Sequence, residues 1–461
     1  MIRGSNYRRS LAGKKVLVVG LGKSGKAAVK ALNDAGAIVS IQDASTADKL
    51  DTQFLQYIQN EEMRTFLGTE PNDVTAYEMF VMSPGVPIDL PFIQEAIKKN
   101  VEVIGEIELA YRISESNFVA ITGTNGKTTT TSLVGQIFEA AGRNTSVVGN
   151  IGNPVIAEAA DAKEDHWMIT EVSSFQLETI KEFRPHVSAI LNITPDHLNR
   201  HKTMEAYEAT KARITENQTK DDYFVYNMDD SIVGNIALGS KATTVPFSIN
   251  GEIRAGAYVD DTSIIVKGID GSKHLICDSS DLRIIGTHNI ENVLAAAAIC
   301  YFAGIEVSAI AQGIRNFAGV EHRIEFCGRV DDVDYYNDSK GTNTDAAIIA
   351  LKALENNIIL IAGGDGKQQD FSELAAMFEG RVKSLILLGR DAQIIEDAAR
   401  AKGFENIYRC KDMPECVRKA AEIAKPDDKV LLSPACASWD MYDNFEQRGR
   451  HFKNCIKELL R

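Results

Sequence analysis

The sequence predicts an α/β protein of several domains, and three observations support this prediction. One glycine-rich turn, at residues 20–25, follows the apolar run 16–19, and a second, at 122–127, follows the run 119–121. Apolar runs and helical periodicity alternate along the rest of the chain. A glycine turn between a buried strand and a helix is typical of nucleotide-binding domains, and repeated strand–helix units form parallel sheets. We therefore expect parallel sheets covered by helices.

The chain length suggests several domains, because 461 residues is roughly three times the usual domain size. We place a first, Rossmann-like domain at residues 1–105. A central domain with a P-loop ATPase-like parallel sheet takes residues 106–318, and a third domain, again Rossmann-like, takes residues 319–461. Within the central domain, residues 251–278 alternate glycine turns with short apolar runs, which predicts a β-rich segment.

The composition excludes several classes of protein. The formal net charge is −14, so no nucleic-acid partner is expected, since such proteins usually carry a basic surface. The seven cysteines include no C-x-x-C pair and the eight histidines no H-E-x-x-H motif, which predicts reduced thiols and no zinc site. No apolar run is long enough to span a bilayer, and no signal peptide is recognisable. We expect a cytoplasmic monomer without a membrane partner.

The second glycine turn predicts a phosphate-binding loop. It reads G-x-x-G-K-T, shorter than the common form, because Ile121 stands where the longer loop has its first glycine. Backbone N–H groups of such a loop, together with the start of the following helix, bind phosphate oxygens. Lys127 can reach the outer phosphates, and Thr128 can bind Mg²⁺. The alternative is an ordinary turn in which Lys127 is solvated.

The first glycine turn has the pattern of a dinucleotide site. Gly20, Gly22 and Gly25 form G-x-G-x-x-G between two predicted strands, and Asp43 ends the second of them. From the residues alone this pattern favours NAD, and a turn that binds nothing is the alternative. A Pro-Gly turn at residues 83–85 follows another strand of this domain and is expected to contact the ligand.

Further polar residues follow predicted strands of the central domain. Glu171 lies near the end of the strand at residues 166–172, and His197 lies just beyond the strand at 187–193. In an open parallel sheet these strand ends share one edge, where ligands bind. The alternatives are a surface carboxylate for Glu171 and a solvated ring for His197. Lys211 lies in a predicted helix, and from the sequence alone we expect it to be solvated.

The order of the motifs resembles that of the Mur ligases. The resemblance runs from Gly20 to beyond Ser438, and its segments are TGTNGKTT, EVSSFQLE, ILNITPDHLNRH, GTHNIENVLAA, EHRIE, NDSKGTN, GGDGK and SPACASWD. The shortened phosphate loop is the form that this family has. The resemblance implies an ATP-dependent ligase of peptidoglycan precursor synthesis, active in cell-wall biogenesis and cell division. It also implies the reaction, which adds D-glutamate to UDP-N-acetylmuramoyl-L-alanine through an acyl phosphate.

The resemblance further implies residues for ATP and metal binding. Two Mg²⁺ ions are implied, the first held by Thr128 and Glu171. The second is held by His197 and by Lys211, whose counterpart is carbamylated in similar family members. The residues implied to be catalytic are Lys127, Glu171, His197 and Lys211. The residues implied to bind ATP are Gly123, Thr124, Asn125, Gly126, Lys127, Thr128, Thr129, Asn289, Asn292, Arg323 and Asp338.

For the two other substrates the resemblance implies one set of residues each. The residues implied to hold the uridine nucleotide are Lys23, Ser24, Asp43, Ser83, Pro84, Gly85 and Asn150. Those implied to bind D-glutamate are Thr342, Lys367, Ser438 and Phe445. The resemblance thus replaces NAD by a UDP-linked substrate in the first domain. Helix capping remains the alternative for Asn289 and Asn292, and a surface ion pair remains the alternative for Arg323.

Other functions stay open at this point. The nearest is another ligase of the superfamily, which adds L-alanine or a diamino acid, or extends folate with glutamate. The D-N-P-R motif of the diaminopimelate-adding enzyme is absent, and a folate enzyme does not need a uridine-binding domain. The others are an NAD-dependent dehydrogenase with a regulatory phosphate loop, and a switch protein that uses nucleotide to change partners.

Overall fold

A computed structural model describes residues 2–367 and 369–459, except for the side chain of Asn199. The described chain divides into two compact units. The first unit comprises the residues up to Asp281 together with Ile290–Asn316. The second comprises Leu282–Asn289 together with the residues from Phe317 onward.

The first unit begins with a parallel sheet. Its strands are β1 (Lys15–Val19), β2 (Ile38–Asp43), β3 (Arg64–Leu67), β4 (Met79–Met82) and β5 (Glu102–Gly105). They lie in the order β3-β2-β1-β4-β5, and neighbouring strands run parallel. Residues 16–19 in the central strand are completely buried, as expected where helices cover both faces of a parallel sheet. This order confirms the predicted Rossmann-like fold.

Five helices lie within the described residues of this part of the chain, and the last of them follows the final strand of the sheet. They are α1 (Gly4–Ser10), α2 (Lys23–Asp34), α3 (Thr52–Asn60), α4 (Pro91–Lys98) and α5 (Glu106–Ile113). Short 3₁₀ turns lie at Ala47–Lys49 and Val74–Ala76. Ala28, Val29 and Leu32 form the apolar side of α2 and are completely buried in the core of this unit. Their helical spacing positions α2 directly behind the first glycine turn.

A buried carboxylate lies at the start of α5. Glu106 is 1% exposed, and its Oε1 accepts a hydrogen bond from the amide of Ile156 at 2.7 Å. Its Oε2 has no hydrogen-bond partner among the residues that the structure describes. Burial raises the pKa of Glu106 to about 7, because the charged form loses its hydration.

The second sheet of this unit carries the phosphate loop. Its strands are β6 (Asn117–Thr122), β7 (Thr145–Gly149), β8 (Trp167–Glu171), β9 (Val187–Ile190), β10 (Tyr223–Asn227), β11 (Thr243–Ser248), β12 (Gly256–Asp260), β13 (Ser263–Lys267) and β14 (Lys273–Asp278). They lie in the order β14-β13-β12-β11-β10-β9-β6-β8-β7. Neighbours run parallel from β7 to β12, whereas β13 is antiparallel to β12 and β14.

Two details of the central sheet differ from the prediction. The sheet is parallel around the phosphate loop, as predicted, but the β-rich segment extends the same sheet with antiparallel strands. Such strands can follow one another through tight turns, so this end of the sheet needs no crossover helices. The strand predicted at residues 187–193 ends at Ile190, so His197 lies several residues beyond it.

The helices of the central part include the one that starts at the phosphate loop. They are α6 (Lys127–Ala140), α7 (Val155–Ala159), α8 (Ser174–Leu177), α9 (Leu198–His201), α10 (Met204–Ala212), α11 (Ser231–Gly239), α12 (Thr287–Phe302) and α13 (Val307–Asn316), with 3₁₀ turns at Arg213–Thr215 and Ser279–Asp281. Leu133, Val134 and Ile137 of α6 are completely buried, which confirms the predicted helical spacing. Helix α13 covers α6, since Gln136 Nε2 donates to the carbonyl of Gly313 at 3.0 Å. A Cβ atom on Gly313 would lie 2.6 Å from Cγ1 of Ile137, so a small residue permits this close approach.

The second unit contains one further sheet within its described residues. Its strands are β15 (Glu325–Val330), β16 (Val333–Asn337), β17 (Ile358–Ala362), β18 (Val382–Leu387), β19 (Ile407–Arg409) and β20 (Lys429–Leu432). They lie in the order β15-β16-β20-β17-β18-β19, and only β15 is antiparallel to its neighbour. Its helices are α14 (Thr344–Leu354), α15 (Ser372–Ala376), α16 (Ala392–Ala401), α17 (Met413–Ile423) and α18 (Phe445–Leu459). The parallel strands confirm the predicted Rossmann-like architecture.

Two sequence predictions remain to be compared with the fold. They concern the domain limits and membrane-spanning helices. The chain passes between the two compact units at residues 281–282, 289–290 and 316–317, and the limits of the three predicted domains stay predictions. None of the helices in the described ranges is long and apolar enough to cross a membrane.

Candidate active site

The phosphate loop joins β6 to α6 through a backbone conformation that requires glycine. Gly126 has a φ of 83°, and a Cβ atom there would lie 2.2 Å from Oδ1 of Asn292. The same Asn292 oxygen accepts a hydrogen bond from Thr130 Oγ1 at 3.2 Å. Asn292 therefore braces the start of α6, which differs from the helix-capping alternative. Because α6 starts at Lys127, its first free amides face the loop and can bind phosphate.

The side chain of Lys127 bonds to the backbone of the phosphate loop. Lys127 Nζ donates to the carbonyl of Gly123 at 2.8 Å and to that of Thr124 at 2.7 Å. The side chain is half-buried, and Thr128 and Thr129 beside it are buried. The alternative of a solvated Lys127 is therefore wrong, and the ammonium is held where loop and helix meet.

The strand end next to the loop holds it in place. The amide of Asn125 donates to Oδ1 of Asn192 at 2.8 Å, and the amide of Thr194 donates to Oγ1 of Thr124 at 3.0 Å. The hydroxyl of Tyr207 lies 3.3 Å from the same Thr124 oxygen. The sequence analysis did not identify Asn192 or Tyr207 as part of the site. A polar residue just after a buried strand was the available signal for Asn192, and Tyr207 gave none.

Glu171 presents an unpaired carboxylate oxygen beside the loop. It ends β8 in register with Ile121 of β6 and is 1% exposed, so the alternative of a surface carboxylate is wrong. Its Oε1 accepts a hydrogen bond from Asn150 Nδ2 at 2.8 Å. Its Oε2 is buried and lacks a hydrogen-bond partner in the described chain. A buried carboxylate without a cationic partner is costly, and an ion such as Mg²⁺ would satisfy it.

Lys211 is buried at the same loop. It is 1% exposed, and its Nζ donates to the carbonyl of Gly123 at 2.9 Å. Burial, followed by the charge of Lys127, lowers the pKa of Lys211 well below its ordinary value, while Asp196 acts in the opposite direction. The expectation from sequence alone, a solvated lysine, is therefore wrong. Burial thus disfavours the charged form of this lysine.

His197 lies at the turn before α9. Its backbone has a φ of 53°, which is unusual for a residue other than glycine. The ring is exposed, with Nε2 at 3.4 Å from Oδ2 of Asp196, and its centroid lies 4.9 Å from that of Phe175. The exposure leaves the ring accessible to a ligand, and its metal role stays a prediction.

The first glycine turn is closed by internal hydrogen bonds. A Cβ atom on Gly25 would lie 1.8 Å from the carbonyl oxygen of Gly20, so the predicted glycine is required by the close approach of helix and turn. Ser83 Oγ donates to the same carbonyl at 2.7 Å. Asp43 accepts hydrogen bonds from the amides of Leu21 at 2.6 Å and Ser45 at 2.7 Å. Ser83 and Asp43 thus shape the turn that was predicted to bind the nucleotide.

The other residues predicted for the uridine nucleotide fall in two places. Gly85 is exposed and Pro84 half-buried in the turn after β4, and Lys23 and Ser24 begin α2. Asn150 lies apart from them in sequence, just after β7, where it bonds Glu171. Asn150 therefore contacts Glu171, a predicted metal ligand of the central sheet.

In the second unit, Asp338 is the most deeply buried of the predicted ATP residues. It is 4% exposed, and its Oδ2 accepts a hydrogen bond from Ser433 Oγ at 2.7 Å. Burial raises the pKa of Asp338 to about 7, against the effect of the Ser433 hydrogen bond. Arg323 Nε is buried and has no hydrogen-bond partner among the described residues. Asn289 Nδ2 donates to the carbonyl of Ile285 at 2.7 Å, a local bond in which the side chain is the donor, whereas a capping side chain accepts from a helix amide.

The predicted D-glutamate residues lie on loops of the same unit. Lys367 has a φ of 51°, and its Nζ lies 4.3 Å from the ring centroid of Trp439. Trp439 is 65% exposed and follows the buried Ser438. Phe445 begins α18 and is half-buried, as is Thr342. The sequence analysis did not identify Trp439, although its place after Ser438 was a signal.

The carboxylates of an acidic cluster in this unit already have partners. Ligand atoms of Glu321, His322 and Glu325 lie within 4.8 Å of one another. Lys453 Nζ donates to Oε1 of Glu321 at 2.6 Å and to Oε1 of Glu325 at 2.8 Å. Asn337 Nδ2 lies 2.8 Å from Nδ1 of His322. The cluster is therefore a network of ion pairs and hydrogen bonds that fixes the start of β15.

Family models match three consecutive parts of the chain. Residues 14–105 match the Mur ligase MurD-like N-terminal domain, residues 121–300 match the Mur ligase middle domain, and residues 322–436 match the Mur ligase glutamate ligase domain. The chain belongs to the Mur ligase family, a family of ATP-dependent ligases.

Curated relatives make the comparison more specific. A protein of Clostridioides difficile (strain 630), named UDP-N-acetylmuramoylalanine–D-glutamate ligase, is 48% identical over 450 residues, covering 97% of this chain and 99% of the relative. A protein of the same name from Thermoanaerobacter sp. (strain X514) is 47% identical over 454 residues, covering 98% of this chain and 100% of the relative.

Solved structures share the fold at lower sequence identity. The UDP-N-acetylmuramate-alanine ligase of Thermotoga maritima superposes with a TM-score of 0.60 at 17% identity, covering 96% of this chain and 99% of that one. A pseudomurein peptide ligase type C of Methanothermus fervidus gives a TM-score of 0.57 at 20% identity, covering 97% and 100%. These similarities establish the three-domain ligase fold and nothing finer.

Proposed function

We propose that the protein catalyses the ATP-dependent addition of D-glutamate to UDP-N-acetylmuramoyl-L-alanine, a step of peptidoglycan precursor synthesis. One observation carries this proposal, the 48% identity over 97% of the chain to a ligase of that name. The order of the motifs, from the first glycine turn to the segment around Ser438, agrees with it.

The reaction converts a poor acyl donor into a good one. An oxygen of the alanyl carboxylate attacks the γ-phosphorus of ATP, the bond to the bridging oxygen breaks, and ADP leaves. The free amine of D-glutamate then attacks the acyl phosphate carbon, inorganic phosphate leaves, and the nitrogen loses a proton. Both reactants are anionic, so positioned positive charge and alignment supply most of the rate enhancement.

Lys127 is the residue best placed to balance charge on the transferred phosphoryl group. Its ammonium is held by two carbonyls of the loop itself, next to the amides at the start of α6. When phosphate oxygens occupy the loop, they can replace one of these neutral acceptors with a charged one, which makes a stronger hydrogen bond.

The chemistry of the donor set fits Mg²⁺. Bound Mg²⁺ would neutralise phosphate charge and help align the two reactants. Thr128 and Glu171 are proposed to hold the first ion, and the unpartnered Oε2 of Glu171 supports this proposal. His197 and a carbamylated Lys211 are proposed for the second.

The surroundings of Lys211 suit carbamylation. The neutral amine nitrogen attacks the carbon of CO₂ and loses a proton, which gives a carbamate anion. Burial and the nearby charge of Lys127 favour the neutral amine, and the product replaces a repelled cation by an anion. The Mg²⁺ role of the carbamate follows from its oxygen atoms, which are the ligand type this ion prefers.

Each of the two other substrates is assigned to one compact unit. For the UDP substrate we propose the turn at residues 83–85, Asp43 and the start of α2 in the first unit, with Asn150 near the reacting end. For D-glutamate we propose Lys367, with Thr342, Ser438 and Phe445, all in the second unit. The ammonium of Lys367 would pair with a carboxylate of the amino acid.

Four less specific predictions remain part of the proposal. They are the domain limits 1–105, 106–318 and 319–461, a cytoplasmic location, where ATP and UDP-linked precursors are available, a monomer, and no partner beyond the small substrates. Sedimentation of the purified protein at assay concentration tests the monomer.

One assay tests the proposed function. The purified protein is given ATP and Mg²⁺, and phosphate release is followed with UDP-N-acetylmuramoyl-L-alanine, with D-glutamate and with both. Release that requires both, with an amide product, is expected. Release that instead requires UDP-N-acetylmuramate with L-alanine, or UDP-N-acetylmuramoyl-L-alanyl-D-glutamate with a diamino acid, would favour another ligase of the family.

A second measurement addresses the dinucleotide alternative. Calorimetric titration with NAD⁺ should give no heat of binding, whereas the UDP substrate should bind. Tight binding of NAD⁺ without a response to the UDP substrate would contradict the proposal, because the G-x-G-x-x-G pattern by itself favours a dinucleotide.

A further inference from the structure

A partly buried arginine close to the candidate metal residues makes a forked ion pair. Arg200 lies in α9, and its side chain is 18% exposed, while that of its partner Glu178 is 14% exposed. Arg200 Nε donates to Oε1 of Glu178 at 3.1 Å, and Nη2 donates to Oε2 of the same carboxylate. The guanidinium carbon lies 4.4 Å from the ring centroid of Phe175. Such a two-point pair fixes the plane of the guanidinium group.

The same guanidinium reaches the Pro-Gly turn of the first sheet. Arg200 Nη2 donates to the carbonyl of Val86 at 3.2 Å, and Nη1 lies 3.5 Å from the carbonyl oxygen of Gly85. The amide of Val86 donates to the carbonyl of Ser83 at 3.0 Å. Ser83 Oγ in turn donates to the carbonyl of Gly20. A continuous set of hydrogen bonds therefore runs from Arg200 to the first glycine turn.

The backbone of Arg200 is tied to His197. The amides of Arg200 and His201 both donate to the carbonyl of His197 at 3.0 Å. The ring of Phe175, which lies against the guanidinium, also contacts the ring of His197, with 4.9 Å between centroids. His197 and the turn at residues 83–86 thus have Arg200 as a common neighbour.

We infer that Arg200 is a positioning residue that ties the turn at residues 83–86 to the segment carrying His197. By fixing this turn it sets where the UDP substrate lies relative to the phosphate loop. The inference rests on the proposed function for the identity of that substrate. The role depends on the forked geometry and not on the charge alone, because the guanidinium of Arg200 donates to both carboxylate oxygens of Glu178 and to the carbonyls of the turn at the same time.

The experiment compares three variants of the whole chain described above. Arg200→Met removes both the ion pair and the bonds to the turn, and Arg200→Lys keeps the charge but not the fork. The matched control is Arg213→Met. Arg213 holds the same α8 region from another side, since its guanidinium donates to the carbonyls of Leu177, Glu178 and Ile180 at 2.7 Å each, but it has no bond to the turn among its described contacts.

The main measurement is the Kd of the UDP substrate without ATP or Mg²⁺, together with KM values and the melting temperature. Arg200→Met should weaken UDP-substrate binding by about tenfold or more, as expected for loss of a partly buried paired charge. The KM of Arg200→Met for ATP should stay within about twofold of the native value. The Kd of Arg200→Lys for the UDP substrate should lie between the values of the native protein and of Arg200→Met. Arg213→Met should lower the melting temperature but leave the Kd unchanged.

The possible failures are distinguishable. If Arg200→Met binds the UDP substrate like the native protein, or if Arg213→Met weakens it equally, Arg200 has only a structural role and the inference is wrong. If Arg200→Met does not fold, Arg200→Lys replaces it in the test. A native Kd of Arg200→Lys for the UDP substrate would then show that the inference is wrong. If the native protein itself does not bind the UDP substrate, the proposed function is wrong as well.

Discussion

Lys127 and Lys211 donate to the same backbone oxygen. Lys127 Nζ lies 2.8 Å from the carbonyl oxygen of Gly123, and Lys211 Nζ lies 2.9 Å from it. Two ammonium groups around one neutral acceptor repel each other, so this arrangement favours either loss of a charge or arrival of an anion. Both outcomes are part of the proposed function. Lys127 would bind phosphate oxygens of ATP, and Lys211 would become a carbamate.

The first prediction concerns Lys127. Lys127→Ala should lower kcat by a factor on the order of 10² to 10³ or more, because one preorganised charge at the reacting group is lost. Phosphate release at saturating substrates measures this. Lys220→Ala, at an exposed position, is the control and should keep native activity. Near-native turnover of Lys127→Ala would contradict the assignment of the phosphate loop.

The second prediction concerns carbamylation of Lys211. With ¹³C-labelled bicarbonate, the native protein should show a carbamate carbon signal that is absent from Lys211→Ala. This variant should be nearly inactive, since a metal ligand is missing, and an added short-chain carboxylate should restore part of the activity. Full activity of the variant, or a carbamate signal that persists in it, would rule out this role for Lys211.

The third prediction separates stability from function at Glu171. Glu171→Gln keeps the shape and the bond from Asn150 but removes a buried negative charge, so the melting temperature should stay the same or rise. Binding of Mn²⁺ in the presence of ATP, followed by electron paramagnetic resonance, should weaken at least about tenfold, as for loss of a charged oxygen ligand. Glu139→Gln, exposed on α6, should change neither quantity. Native Mn²⁺ affinity in Glu171→Gln would remove Glu171 from the metal site.

The fourth prediction is a pH dependence of stability caused by Glu106. Its pKa is about 7 in the folded protein, against an ordinary value of 4.5. The folded state therefore binds more protons than the unfolded state between these values, and the contribution to stability, complete below pH 4.5, is lost as the pH rises through 7. Over this range of about 2.5 pKa units the loss does not exceed about 3 to 4 kcal/mol, at 1.36 kcal/mol per pKa unit.

Denaturant unfolding at pH 5 and pH 8 measures this effect. Glu106→Gln has no charge to bury, so its stability relative to the native protein should rise between the two pH values. Glu95→Gln, on the exposed side of α4, should show no such change. A difference between Glu106→Gln and the native protein that does not vary with pH would show that Glu106 stays charged, or stays neutral, throughout.

The fifth prediction concerns recognition of D-glutamate. Lys367→Ala should raise the KM for D-glutamate sharply and leave the KM for ATP and for the UDP substrate close to native. L-glutamate should be a poor substrate, because inversion at the α-carbon misplaces either the amine or a carboxylate. Because Lys367 Nζ lies 4.3 Å from the Trp439 ring, D-glutamate should also change tryptophan fluorescence, and Trp439→Phe should abolish that change. An unchanged KM in Lys367→Ala would exclude this site.

Much of the fold could be predicted because local patterns determine it. The glycine turns, the apolar strands before them and the buried spacing of α6 are all short-range features, and the structure contains them. The strands β13 and β14 were recognised as β-rich, but their attachment to the central sheet was not. That attachment depends on pairing between β11 and β12, for which local periodicity contains no information.

The site was less predictable where burial decides the chemistry. The expectation from sequence alone for Lys211 was a solvated charge, because a lysine in a polar helix is usually exposed. The structure buries it because α10 packs the side chain against the loop carbonyl of Gly123, a contact between residues far apart in sequence. The hydrogen bond from Asn150 to Glu171 was likewise not predicted, since it joins the ends of two strands.

The packing of α13 on α6 has a consequence for the nascent chain during synthesis. Residues 123–128 leave the ribosome early, yet α13, which shields the buried side of α6 around Ile137, ends only at Asn316. Until then a nascent chain exposes apolar surface behind the phosphate loop, and such surface favours aggregation. A fragment meant to bind ATP on its own should therefore extend to residue 316, whereas one that stops after β14 would be poorly soluble.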